Sequence, residues 1–207
     1  YLNPNYSKLL WISEGSTSYF QNQLLLRAGL MTPQEFYTDL AKRLKRFERT
    51  PGREIQSVAQ SSFDNWISLG GDHADNFSVN IYSEGYLVSW LFDHYLLSHS
   101  GLKASYRDIH QQLYQRFGKT TAFTAEDVQK IAQELTGKSL LPWWQQQVES
   151  PPQLNSDTLL AAAGLHRQFR ADGLRHRRDL RQPRPRPARL GVRDQIRPRH
   201  PHPVHPA

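Results

Sequence analysis

Apolar residues recur at three- and four-residue steps through most of the first 165 positions. In YSKLLWISEGSTSYFQNQLLLRAGLM the stripe through Ile12, Tyr19, Phe20, Leu24 and Leu26 predicts a helix over roughly 12–29, with Gly29 suited to its C-cap. Thr32 as N-cap, Pro33 at the first helical position and Glu35 closing a capping box open a second helix. It carries Phe36, Leu40, Leu44 and Phe47 on one stripe until TPG at 50–52 stops it. A short amphipathic segment follows at 55–67, and SLGGDHADNFS is a loop by composition. VNIYSEGYLVSWLFDHYLLSHSG is the most apolar run, and its length of about 20 residues predicts a central helix ending at Gly101 rather than a buried strand. Further helices are expected at 105–116, at 125–136 behind a Thr124 cap, and at 139–148 around the Trp143 and Trp144 pair, closed by PP at 151–152. A short LLAAAG at 159–164 ends the pattern, and no strand-rich region is visible.

Composition divides the 207 residues at this same place. Residues 1–165 hold 7 Lys and 7 Arg against 16 acidic residues, a net of −2, with every Trp and Tyr. Residues 166–207 hold 12 Arg and 3 Asp, a net of +9, with 7 of the 13 Pro and 5 of the 9 His. The overall +7 is therefore the sum of an ordinary globular segment and a basic tail. The tail has too little apolar area to offset its ordering entropy, so disorder or extended, polyproline-like backbone is expected from Leu165 onward. Its Arg could attract RNA or an anionic surface by counterion release, its xPxP pieces suit a polyproline-recognition groove, and HPHPVHP could bind a metal weakly. Only Phe169 interleaves with the Arg, so no specific nucleic-acid partner is expected. A change of reading frame in a GC-rich gene would generate the same mixture of Arg, Pro, His and Ala.

The absence of Cys excludes disulfide frameworks, thiolate metal centres and a cysteine nucleophile. No run approaches the eighteen or so apolar residues of a membrane helix, and YLNPNYSK shows no signal-peptide pattern. Compartment and oligomeric state stay open.

Two residues stand out as candidates for chemistry. Glu14 sits among apolar and aromatic neighbours immediately before Gly15, where a helix-start Glu is ordinarily solvated. Tyr82 lies in the apolar run, where a lone Tyr is ordinarily a core residue with a bonded hydroxyl. Glu84, just before Gly85, either faces a cleft or serves local helix electrostatics, the second being the expected role. Asp72, His73 and Asp75 in the glycine-rich loop, with Asp93 and His94, offer a rival metal set but follow no zinc or calcium spacing.

Read together, LLWISEGSTSYF and YSEGYLVSWLFD resemble the catalytic region of the glycyl aminopeptidase family of zinc metallopeptidases, peptidase family M61. Its second signature runs approximately L-W-F-x-E-G-F-T-x-Y-Y. Leu10, Trp11, Ile12, Glu14, Gly15, Thr17, Tyr19 and Phe20 stand at those places, while Ser16 replaces the usual Phe. RAGLMTPQEFY, TPGR, SSFDNWI and LLAAAGL are similar to the family as well, so the resemblance covers nearly all of 1–165.

The resemblance implies a mainly α chain: the C-terminal, helical part of a thermolysin-like catalytic domain over 1–165, followed by the tail at 166–207. It implies that Glu14 is the third protein ligand of a His₂Glu zinc site and that Tyr82 is the phenol that stabilises the oxyanion. A carboxylate completes a set around an open metal position, and a neutral donor adds stabilisation where negative charge develops. The HExxH pair and general base of the family do not occur in this sequence. The four His before residue 166 are His73, His94, His99 and His110, and none forms that motif. In the family HExxH precedes the Glu14 segment. The expectation is therefore a piece of a zinc aminopeptidase, whose parent takes peptide substrates and zinc, while these residues alone bind no zinc tightly and are inactive. A non-catalytic helical interaction module and a basic-tail nucleic-acid binder are the alternatives.

Overall fold

Helix ends fall where the chain supplies caps. In the computed structural model, which describes residues 6–67, 73–118, 121–171 and 192–198, helix α1 spans Leu10–Arg27, and Gly29 just beyond it takes the left-handed conformation with φ +71°. The Thr32 hydroxyl accepts from the Glu35 amide at 3.3 Å and the Glu35 carboxylate accepts from the Thr32 amide at 2.8 Å, opening α2 at Pro33–Arg49. Pro51–Glu54 forms a 3₁₀ turn and Val58–Asp64 is α3. A second 3₁₀ turn at Ala74–Asn76 precedes α4, Ile81–His99. Then come α5 at Tyr106–Phe117, α6 at Ala125–Thr136 and α7 at Leu141–Trp144, which runs on as one π-helical turn through Gln145–Glu149, and finally α8 at Ser156–Ala162.

The molecule is predominantly α-helical. Helices α1 and α4 pack face to face at its centre, and their closest approach lies at Gly15 and Gly85. A Cβ built on Gly15 would lie 2.5 Å from the Gly85 Cα. Around this pair the core collects Trp11, Leu44, Phe92, Ile109, Ile131 and Trp144, each essentially removed from water. Trp144 meets Trp11 with centroids 5.8 Å apart and Trp143 stacks on Phe92 at 5.0 Å, so the double tryptophan anchors α7 on both central helices.

Asp93 ties three helices together. Its two oxygens accept from the Tyr19 hydroxyl at 2.6 Å and from the Tyr106 amide at 2.7 Å. Asp93→Ala strands both donors in a largely buried place and is expected to lower unfolding free energy by about 2 kcal/mol in urea denaturation. Asp93→Asn keeps one acceptor and is expected to lose about half of that. An unchanged midpoint in both variants would show that the bridge is replaced by solvent.

The sequence pattern shows no strand-rich region, yet the described residues include an antiparallel ribbon. Strands β1, Leu165–Ala171, and β2, Val192–Pro198, pair from Leu165 opposite Pro198 to Ala171 opposite Val192. They fall inside the stretch whose composition predicts a disordered tail. Their attachment to the helical body includes a polar contact that apolar area does not measure. The Arg167 guanidinium forks onto Glu48 of α2 at 2.6 and 2.9 Å, with Asp157 at 3.7 Å. The remaining tail positions, 172–191 and 199–207, lie outside the described residues. Among the described residues no helix is long and apolar enough to cross a membrane.

Candidate functional site

Helix α4 begins at a well-made cap. The Asn80 side-chain oxygen accepts from the Tyr82 and Ser83 amides at 3.0 and 3.1 Å, which fixes Tyr82 in the first turn. The segment before it is held by Gln56, whose oxygen accepts from the Val79 amide at 3.0 Å, and by the Ser61 hydroxyl donating to the Val79 carbonyl at 2.6 Å. Helix α1 is fixed at its own start by the Ser62 hydroxyl, which accepts from the Trp11 amide at 3.1 Å and donates to the Val58 carbonyl at 2.7 Å. Sequence reading missed Gln56, Ser61 and Ser62. An Asn directly before the apolar run was the available signal for Asn80.

With both helix starts fixed and the backbones touching at Gly15 and Gly85, Glu14 and Tyr82 meet although 68 positions separate them. The charge of the nearby Glu14 pushes the Tyr82 phenol above its ordinary pKa. Tyr82 is not the core residue that its apolar surroundings suggest, being 48% exposed. A neutral phenol beside a carboxylate is a donor ready to bond negative oxygen. The carboxylate is a hard ligand on a rigid helix.

Tyr82 also forms part of the rim of an open cleft of about 600 Å³. The end of α3 and the turn after it supply Asp64 and Ile67, and the segment before α4 supplies His73, Asp75 and Phe77. Phe77, Ile67 and the neighbouring Trp66 are all more than half exposed, so an apolar surface adjoins the Glu14 and Tyr82 pair.

Glu84 corrects its expected role. It shares the inward face of α4 with Ile81 and Val88 at helical spacing, is 4% exposed, and is driven by burial to a pKa of about 8, with the charge of Arg53 pulling the other way. A helix-start carboxyl serving surface electrostatics would face water. Ser16, at the place of the family's Phe, is also buried and donates to the Ile12 carbonyl while facing the Tyr106 hydroxyl.

The rival metal set does not assemble. Asp93 is taken by Tyr19 and Tyr106, Asp75 pairs with Arg46 at 3.8 Å, His94 is exposed, and Asp72 lies outside the described residues. Among the described residues no three His, Cys, Asp or Glu side chains come together to hold a metal ion. Glu14 alone does not make a zinc centre, so the described residues do not fit the metal by themselves.

The sequence profile of the M61 glycyl aminopeptidase family matches residues 1–88, which include both Glu14 and Tyr82. The fold is similar to the crystal structure of an aminopeptidase N family protein from Idiomarina loihiensis, with a TM-score of 0.74 and 27% identity over 82% of this chain. That alignment covers 30% of the Idiomarina chain, so the present chain spans less than a third of the structure it matches. No curated protein matches it. At the level of family, the chain resembles M61 and aminopeptidase-like peptidases.

Proposed function

We propose that this chain is the helical part of a zinc-dependent aminopeptidase catalytic domain, in which Glu14 serves as a metal ligand and Tyr82 as the oxyanion donor. The observation that supports the reading is the closeness of Glu14 and Tyr82, two residues of separate segments that both lie inside the stretch matched by the family profile. In the intact enzyme zinc would activate water or polarise the scissile carbonyl. The residues of this chain do three things toward that end. The rigid crossing of α1 and α4 holds the Glu14 carboxylate without reorganisation. The Tyr82 phenol, kept neutral by its raised pKa, donates to a developing oxyanion. The cleft on whose rim Tyr82 stands offers a place for a peptide chain.

With one ligand and no HExxH general base, the chain alone is read as inactive. Zinc titration by calorimetry is expected to show no stoichiometric site tighter than about 10 μM, since a single carboxylate lacks the charge and geometry of a His₂Glu set. Nanomolar binding abolished in Glu14→Ala would reveal replacement ligands and overturn the inactive reading. The role assignment is tested by joining the chain to a preceding HExxH-bearing segment and assaying release of an N-terminal residue from a short peptide. Glu14→Gln is expected to remove zinc and activity together. Tyr82→Phe is expected to keep zinc but lower kcat by about 10²- to 10³-fold. Zinc-dependent activity indifferent to both substitutions would sink the assignment.

A further inference from the structure

Phe77 leaves 68% of its surface in water on backbone that is firmly held. Its amide donates to the Ala74 carbonyl at 3.1 Å, and the Ser78 amide and hydroxyl donate to that same carbonyl at 2.9 and 2.8 Å. Gly52 sits against Ser78 so closely that a Cβ on it would lie 2.4 Å from the Ser78 carbonyl oxygen. Ile67 lines the same cleft, is 61% exposed, and is held by its amide on the Asp64 carbonyl at 2.9 Å. A single exposed apolar residue needs no explanation, but two bulky ones on one cleft, each on fixed backbone, form a seat for an apolar side chain from elsewhere.

The cleft is also acidic. Arg46 and Asp75, 3.8 Å apart, offset each other. Asp64 accepts from the side-chain amides of Gln56 and Gln60 at 3.1 and 2.8 Å, both on Oδ2, so neutral groups hold it and its charge is left uncompensated. Glu14 adds a second negative charge beside Tyr82, which zinc would offset in the intact enzyme, while Asp64 would stay as it is. The exposed Asn65 carboxamide supplies a donor and an acceptor matching those of a peptide backbone. Shape gives the direction. Nothing precedes the first residue of an aminopeptidase substrate, so a pocket for that residue ends blindly, whereas the rest of the peptide runs out to solvent. This cleft is open, and its volume of about 600 Å³ has room for more than one side chain.

We propose that the cleft binds the part of a peptide substrate that follows the scissile bond, and that it selects a large apolar residue against Phe77 and Ile67 followed by a basic residue against Asp64. Its place beside the reaction rests on the roles read above for Glu14 and Tyr82, while the contacts themselves need neither zinc nor HExxH.

The probe is the peptide Gly-Phe-Arg-Ala-Ala-Ala with an amidated C-terminus, titrated into the full chain without metal and followed through the amide resonances of 64–67 and 74–79. Replacing its Phe by Ala is expected to weaken binding about tenfold. Replacing its Arg by Glu is expected to weaken it about fivefold, a difference that vanishes in about 0.5 M NaCl. Phe77→Ala is expected to abolish the Phe preference and Phe77→Leu to keep most of it, with the urea midpoint unchanged because the side chain lies largely in water. Asp64→Asn is expected to remove the Arg preference alone. Acetylating the peptide N-terminus is expected to leave binding unchanged, and a tenfold loss would put the free amine in the cleft and overturn the proposal. Equal affinity for the Phe and Ala peptides, or a Phe preference that survives Phe77→Ala, would overturn it as well. Failure of the catalytic reading looks different: both preferences would persist in this chain while activity of the joined enzyme ignored Glu14→Gln and Tyr82→Phe.

Discussion

Gly15→Ala is expected to lower unfolding free energy by about 4 kcal/mol, against the gain of about 1 kcal/mol that the same change gives in an unconstrained helix interior. The reversal comes from the crossing of α1 and α4. The added methyl would stand 2.5 Å from both the Cα and the carbonyl carbon of Gly85 and 2.8 Å from its oxygen. Those are backbone atoms of a buried helix, so no side chain can swing away, and the helices must separate along a contact that carries Trp11 and the Tyr19–Tyr86 ring pair. Gly85→Ala meets Gly15 Cα at 2.8 Å and Trp11 Cβ at 3.3 Å, and is expected to cost about half as much. Gly137→Ala serves as the control. Its φ of +70° is strained for an L residue but nothing crowds it, so a loss of about 1 kcal/mol is expected. The site should register the same displacement. In Gly15→Ala the Tyr82 phenol is expected to titrate closer to its ordinary 10, because Glu14 no longer stands against it. A Gly15→Ala protein as stable as its parent in urea would show that the two backbones do not touch in solution.

The capping residues made most helix boundaries readable. Thr32 with Glu35 and Thr124 with Asp127 each satisfy orphan amides by local bonds that a sequence displays directly, and α2 and α6 begin where those residues place them. Long-range devices were less visible. Gly15 and Gly85 look like two unremarkable helix glycines until the fold presses them together, and the short polar staples of Gln56, Ser61 and Ser62 have no sequence pattern at all. Glu14 and Tyr82 were recognisable only as members of separate motifs. Their meeting is a consequence of that crossing. Glu84 failed as a surface residue because helical spacing puts it on the same face as Ile81 and Val88, a pattern present in the sequence but outweighed by the habit of reading Glu as solvated. The ribbon of β1 and β2 was hidden for another reason: its attachment to the helical body includes Arg167 on Glu48, an ion pair that hydrophobic bookkeeping does not count.

Stability is expected to be nearly flat between about pH 4.5 and 6.5 and to fall on both sides, because two buried groups pull in opposite directions. Glu84 is raised from 4.5 to about 8 by burial, so the folded state holds a proton that the unfolded chain has released. Its contribution is complete below pH 4.5 and disappears as pH rises through 8, a loss of up to ~5 kcal/mol. His110, packed edge-on against Phe20 and Tyr106 with its Nε2 buried, is lowered from 6.5 to about 4 by burial. Its contribution is complete above pH 6.5 and disappears as pH falls through 4, a loss of up to ~3 kcal/mol. Where both windows overlap the two slopes, each about 1.4 kcal/mol per pH unit, cancel. Above 6.5 only Glu84 acts, and stability declines toward pH 8. Urea denaturation at half-unit pH steps checks the profile, and two substitutions separate its limbs. Glu84→Gln is expected to remove the alkaline decline and to exceed the parent most at pH 8.5, where the carboxylate is charged inside the protein. His110→Phe, which keeps a ring between Phe20 and Tyr106, is expected to flatten its share of the acid limb and leave the alkaline limb alone. A parent protein whose stability climbs from pH 6.5 to 8 would mean that Glu84 is ionised and paired in the interior.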